Sequence, residues 1–198
     1  MSKLLIILII FQTLIFIGLA MFSPLLTPLN LWVRQHVDNN RNMRLRPLMV
    51  MTHRYNDVLS LSIQLMVVAL LLGLIWEDWR GAMVLLATFF VQTTIVSLSK
   101  RLSSIDRPPQ LLTHVVMTSS SYPSGHSAAS MTFALLVPTV LMPHIDLSVL
   151  IILATYLFCV ALLTAYGRLY LDVHWLTDII GGWSLSGATY MLSRLFIG

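Results

Sequence analysis

Charge is what this chain has least of. Its 12 Lys and Arg and 8 Asp and Glu make up 10% of 198 residues, against 57% hydrophobic. A soluble domain carries roughly a quarter charged residues, so an ordinary water-soluble globule is excluded. Cysteine is nearly missing too. The lone Cys159 rules out a disulfide framework within the chain, and its apolar neighbours predict a small, buried hydrophobe. No internal repeat, low-complexity tract or polar linker is found, which leaves a single domain over residues 1–198. The net charge of +4 is nowhere gathered into a basic tract interleaved with aromatics. Nucleic acid is therefore excluded as a partner, and membrane phosphates are the anions expected.

What the chain has in abundance is long apolar runs. Six of them, at about residues 4–22, 58–76, 82–99, 127–142, 147–166 and 175–196, are near the length that crosses a bilayer core of roughly 30 Å. The first has the basic start of a secretory signal. Its length and the lack of an Ala-x-Ala site predict a retained membrane helix instead. Irregular backbone cannot face lipid, so the expected fold is all-α, a six-transmembrane-helix bundle. Three richer connections, residues 23–57, 100–126 and 167–174, then share one membrane face. The first of these, with Leu25, Leu29, Trp32 and then Arg34, Arg41, Arg44 and Arg46, predicts an interfacial helix and a headgroup-facing stretch. Trp76 and Trp79 mark an aromatic belt on the opposite surface. Gly181, Gly182, Ser184, Ser186, Gly187 and Ala188 predict close helix packing, and Pro138 a kink or an early helix end.

Three polar clusters lie on the shared face. In KRLSSIDRPP, Lys100 and Arg107 are seven residues apart and converge as two cations; taken alone, they also fit ordinary headgroup anchoring. In SYPSGHS, Ser124 and Gly125 open an apolar run, so they occupy a helix N-terminus whose free amides favour an anion. His126 in the first turn is placed for proton exchange, although such a trio also serves as a simple cap. In GRLYLDVHWLTDII, Asp178 lies four residues beyond His174 and can accept its Nδ1 hydrogen, which leaves Nε2 nucleophilic. Arg168 precedes them on the loop and adds a forked donor suited to phosphate. An isolated pair of this kind would equally pin a helix end. Their coincidence on one face describes a phosphate site.

These residues resemble a known family. KRLSSIDRP fits a Lys-x6-Arg-Pro element, PSGH a central element, and RLYLDVHWLTD an Arg-x5-His-x3-Asp element, in the order of the type 2 phosphatidic acid phosphatase superfamily. The resemblance implies an integral-membrane lipid phosphatase in which His174 attacks phosphorus to form a phosphohistidine, Asp178 orients it, and His126 protonates the departing oxygen. It implies that Lys100, Arg107, Arg168, Ser124 and Gly125 hold the phosphate oxygens, with no metal or other cofactor. Two positions depart from the pattern. Gly167 stands where a serine is common, and Asp172 where a small residue is; Asp172 could pair with Arg168 or repel a highly anionic headgroup.

The substrate class implied is a lipid phosphomonoester or diphosphate: undecaprenyl diphosphate, phosphatidylglycerophosphate, phosphatidate or a lipid A phosphate. A phosphotransferase passing the group to another lipid, and a non-enzymatic lipid-phosphate binder or transporter, are the alternatives. The two histidines argue against pure binding, and the surrounding cations argue against a zinc site on His126, His174 and Asp178. Nine of the 12 Lys and Arg lie on the face bearing the clusters, a bias toward the cytoplasm by the positive-inside rule. The resemblance implies the opposite, a bacterial inner-membrane protein with its site on the periplasmic or external face. The sequence says nothing of oligomeric state.

Overall fold

The computed structural model describes residues 3–112 and 116–197. Eight α-helices dominate these residues: α1 (Lys3–Met21), α2 (Thr27–Asn39), α3 (Arg46–Tyr55), α4 (Val58–Leu70), α5 (Trp79–Leu102), α6 (Gly125–Leu141), α7 (Leu147–Tyr170) and α8 (Leu176–Ile197). Helix α4 continues into a π-helical turn, Leu71–Ile75. The protein is an all-α bundle. Helices α1, α5 and α7 are long and apolar enough to cross a membrane, and the bent pair Met43–Tyr55 with Leu59–Ile75, meeting at 54°, makes up to four such spans. Helix α6 is shorter, at 17 residues. Helix α8 carries Asp178, Ser184 and Ser186 in its buried face.

The core lies where α6 meets its neighbours. Helix α6 packs against α7, α8 and α5, and Met131, Phe133, Leu136, Val137 and Val140 are buried there among Leu72, Leu85, Phe89 and Leu157. Helix α1 buries no residue of its own and lies along α8, apolar on every side as a lipid-facing helix must be. A polar contact ties it to the rest of the molecule, where the Tyr122 hydroxyl donates to the Phe16 carbonyl at 2.5 Å. The amphipathic pair α2 and α3 fills the connection read as interfacial, and α3 packs on α7.

Three local readings need correction. Helix α7 runs to Tyr170, so Arg168 is in its last turn and not on a loop. The reason is packing: Gly167 lies so close to α3 that an added Cβ would be 3.3 Å from Thr52 Oγ1, and Tyr170 is fully buried. Of the two readings of Pro138 the early end is the one corrected: α6 continues past it to Leu141, held by its buried face even though the ring removes one amide donor. Cys159 is exposed on the outside of α7 and is not a core residue.

At the surface away from the polar clusters, Asp78 caps α5. Its Oδ1 accepts from the Gly81 amide at 2.7 Å and its Oδ2 from His144 Nε2 at 2.9 Å, while His144 stacks on Trp76. The Gly81 amide, and then His144, hold this carboxyl below its ordinary range. Its stabilising contribution is present above the unfolded-state value of about 3.9 and is lost as the pH falls through the lower folded value. Asp78→Ala is expected to cost about 1 kcal/mol at neutral pH. The difference from wild type in detergent melting should vanish in acid; a difference that persists there would reject the cap.

Candidate active site

The short connection from α7 to α8 is built around Asp178. Its Oδ2 accepts from the Trp175 amide at 2.8 Å, from the buried Ser121 hydroxyl, and from His174 Nδ1 at 3.2 Å. Asp178 and His174 sit one helical turn apart, both buried. An ionised carboxylate only accepts, so the His174 proton is on Nδ1 and Nε2 carries the lone pair. The far side of the ring agrees with that tautomer. Arg107 Nη1, which can only donate, lies 3.4 Å from Nε2. Burial, and then the charges of Arg168, Lys100 and Arg107, push the His174 imidazole well below its ordinary value. It is neutral at physiological pH.

The cations are held by main-chain carbonyls. Lys100 Nζ donates to the Ser120 and Ser121 carbonyls at 2.8 and 3.2 Å, which leaves one ammonium hydrogen unengaged among the described residues. Arg107 donates to the Ser119 carbonyl through Nε at 2.8 Å and to the Val173 carbonyl through Nη1 at 2.6 Å. Burial lowers the Arg107 guanidinium from its ordinary value, with Asp178 opposing. Carbonyls hold these groups in place without cancelling their charge, so the site retains a net positive field for an anion.

A cavity of about 550 Å³ opens here, with Lys100, Arg107, Gly125, His126 and His174 on its wall. From this polar end it runs between α4, α5 and α6 along Leu61, Leu65, Phe89 and Val96. Five of the eight residues singled out from sequence therefore share one space. The other three stand behind it. Ser124 is spent as the α6 cap, its Oγ 2.9 Å from Ser127 Oγ, and Asp178 backs His174. Arg168 is fully buried, with Nη2 3.7 Å from the sulfur of Met117, which lines the cavity. His126 Nε2 is buried and has no hydrogen-bond partner among the described residues.

Asp172 does not pair with Arg168. Its carboxylate takes Arg41 at 3.1 Å and Arg34 at 3.4 Å, both from the α2 region, at a residue with a φ of 54°. This ion pair ties the interfacial helix to the backbone two residues before His174. Four participants escaped the sequence reading: Ser121, Arg34 and Arg41 as partners of Asp172, and His53, whose ring stacks on His126 at 4.5 Å and whose Nδ1 lies 2.6 Å from Arg168 Nη1. Each is joined to its partner across 57 to 138 residues of chain, a distance that local pattern does not encode. Among the described residues no group of three His, Cys, Asp or Glu side chains is placed to hold a metal ion.

The model of the PAP2 superfamily matches residues 81–197. No curated protein sequence matches the chain. Two solved structures share the fold. One, described as the first transmembrane PAP2 type phosphatidylglycerolphosphate phosphatase from Bacillus subtilis, superposes with a TM-score of 0.85 at 21% identity, over 95% of this chain and 94% of that one. The other, LpxE from Aquifex aeolicus, superposes with a TM-score of 0.64 at 22% identity, over 85% of this chain and 96% of that one. At such identities the likeness speaks for the fold alone.

Proposed function

Because this chain belongs to the PAP2 (type 2 phosphatidic acid phosphatase) superfamily and is a phosphatase of that family, we propose that it hydrolyses a lipid phosphomonoester or diphosphate through a phosphohistidine on His174. The observation that carries this reading is the single wall shared by His174 Nε2, His126 and two cations at the polar end of an otherwise apolar cavity.

In the first step, Nε2 attacks the terminal phosphorus and its bond to the leaving oxygen breaks, the lipid oxygen of a monoester or the bridging oxygen of a diphosphate, with the His126 imidazolium giving that oxygen its proton. In the second, water attacks the phosphohistidine and His126 takes a water proton, releasing inorganic phosphate and returning His174 to the neutral imidazole and His126 to the imidazolium. Asp178 stabilises the positive charge that His174 acquires on attack. Lys100, Arg107 and the Gly125 amide hold the equatorial oxygens, Arg168 supports them from behind, and Ser124 shapes the helix start. These cations supply the clamp, so no metal or other cofactor is needed.

The apolar lining suits a lipid tail lying between α4 and α5. We read the chain as one domain with six crossings, α6 and α8 included, in a bacterial inner membrane with the site on the periplasmic face. An impermeant thiol reagent on Arg44→Cys, with Cys159→Ala in the background, decides the face: protection in intact cells would reject it.

Phosphate release from purified protein is the direct test, run with phosphatidate, phosphatidylglycerophosphate, undecaprenyl diphosphate and a lipid A phosphate. Turnover of at least one of them is expected. Radiolabel arriving on a second lipid rather than in solution would replace hydrolysis by transfer, and no turnover of any would reject the reading.

A further inference from the structure

Arg168 carries its charge in an unusual setting. It is 1% exposed, and among the described residues no carboxylate pairs with it; the nearby Asp172 is committed to Arg34 and Arg41. Its Nε has no partner there, and Nη2 touches only the weakly accepting sulfur of Met117. The one strong contact is Nη1 to His53 Nδ1 at 2.6 Å. A guanidinium has donors and no acceptor. His53 must therefore present a lone pair at Nδ1 and is neutral, with its hydrogen on Nε2. The same flat ring lies against His126 with centroids 4.5 Å apart and planes 23° from parallel.

We propose that His53 is a positioning residue for the phosphate site, aiming Arg168 through Nδ1 and fixing the plane of His126 by stacking. The physical advantage is specific to a neutral acceptor. A carboxylate in its place would orient Arg168 just as well, but would cancel its charge and repel an incoming phosphate. An imidazole orients the guanidinium and leaves its charge for the substrate. The ionisable groups gathered around His126 are Arg168 from α7, His174 from the α7 to α8 connection and Lys100 from α5, together with His53 from α3. Only His53 touches both Arg168 and His126 in the contacts described above.

The proposal rests on the reading of Arg168 as the cation that backs the phosphate clamp and His126 as the acid, and it separates two functions of one ring. His53→Phe keeps the stack and loses the acceptor. It is expected to raise KM and weaken orthovanadate inhibition by about tenfold to a hundredfold, the worth of one hydrogen bond to a charged group, with kcat nearly unchanged. His53→Asn puts an oxygen where Nδ1 was and loses the ring, so vanadate inhibition should stay near wild type while kcat falls about tenfold. Vanadate should raise the melting temperature of wild type and His53→Asn, and raise that of His53→Phe much less. Vanadate affinity within twofold of wild type in His53→Phe, or the same parameter moving equally in both variants, overturns the proposal. If wild type neither binds vanadate nor releases phosphate, the phosphatase reading itself has failed; if it does both while the variants give either overturning result, only the assignment of His53 is lost.

Discussion

His174→Ala is expected to abolish lipid dephosphorylation, lowering turnover by on the order of 10³ to 10⁴ fold while the protein still elutes and melts as a folded species. The size of the effect follows from the cavity wall. The variant removes the one nitrogen whose partner ring atom is fixed by a carboxylate and whose lone pair is fixed by a neighbouring arginine. His126 cannot take over, because in the proposed reaction it must carry a proton to the leaving oxygen. The fold should survive. Asp178 keeps its hydrogen bonds from the Trp175 amide and the Ser121 hydroxyl, so the start of α8 stays capped. The measurement is phosphate release with the most active panel lipid, and turnover within tenfold of wild type in a folded variant would refute covalent catalysis at this position.

Gly182→Val should act on stability. A Cβ at Gly182 would lie 2.8 Å from the Ser124 carbonyl oxygen and 3.1 Å from the Ala128 amide nitrogen. Both are main-chain atoms, so no rotamer change relieves the collision. One turn later Ser186 Oγ donates to the Ala128 carbonyl at 2.7 Å and locks the same crossing of α8 over α6. Valine there must push the two helices apart, at a cost of about 3 kcal/mol or more, and would carry Gly125 and His126 with it. Melting temperature and activity should fall together. Gly18→Val is the control, since nothing lies within 4 Å of a Cβ at that position, and it should melt like wild type. Equal melting of Gly182→Val and Gly18→Val would show that the close approach contributes nothing.

The helices were legible as long apolar runs, and the bounds of α1, α5, α6 and α8 fall within about three residues of those expected, while α4 gives way at Leu70 to the π-helical turn that completes its run. Their polar boundaries were less so. The last turn of α7 looks like a connection in sequence, with Gly167 and a charged Arg168, and becomes helical because α3 packs over it. The local elements of the site were readable where the spacing is helical, as for His174 and Asp178. What could not be read is assembled by the tertiary fold. His53 looks like one more polar residue in an amphipathic, headgroup-facing segment. Ser121 belongs to the conspicuous SYPSGHS stretch, yet only the approach of α8 gives its hydroxyl a purpose.

The cavity with one charged end and one oily flank also bears on how the reaction finishes. On the proposed reading its two products have opposite solubilities and leave in different directions, the freed phosphate into water and the shortened lipid sideways along the hydrocarbon. Neither obstructs the other's departure. Dilution into two immiscible phases then pulls the cleavage forward, so the bilayer itself serves as a reagent reservoir that discourages the reverse condensation.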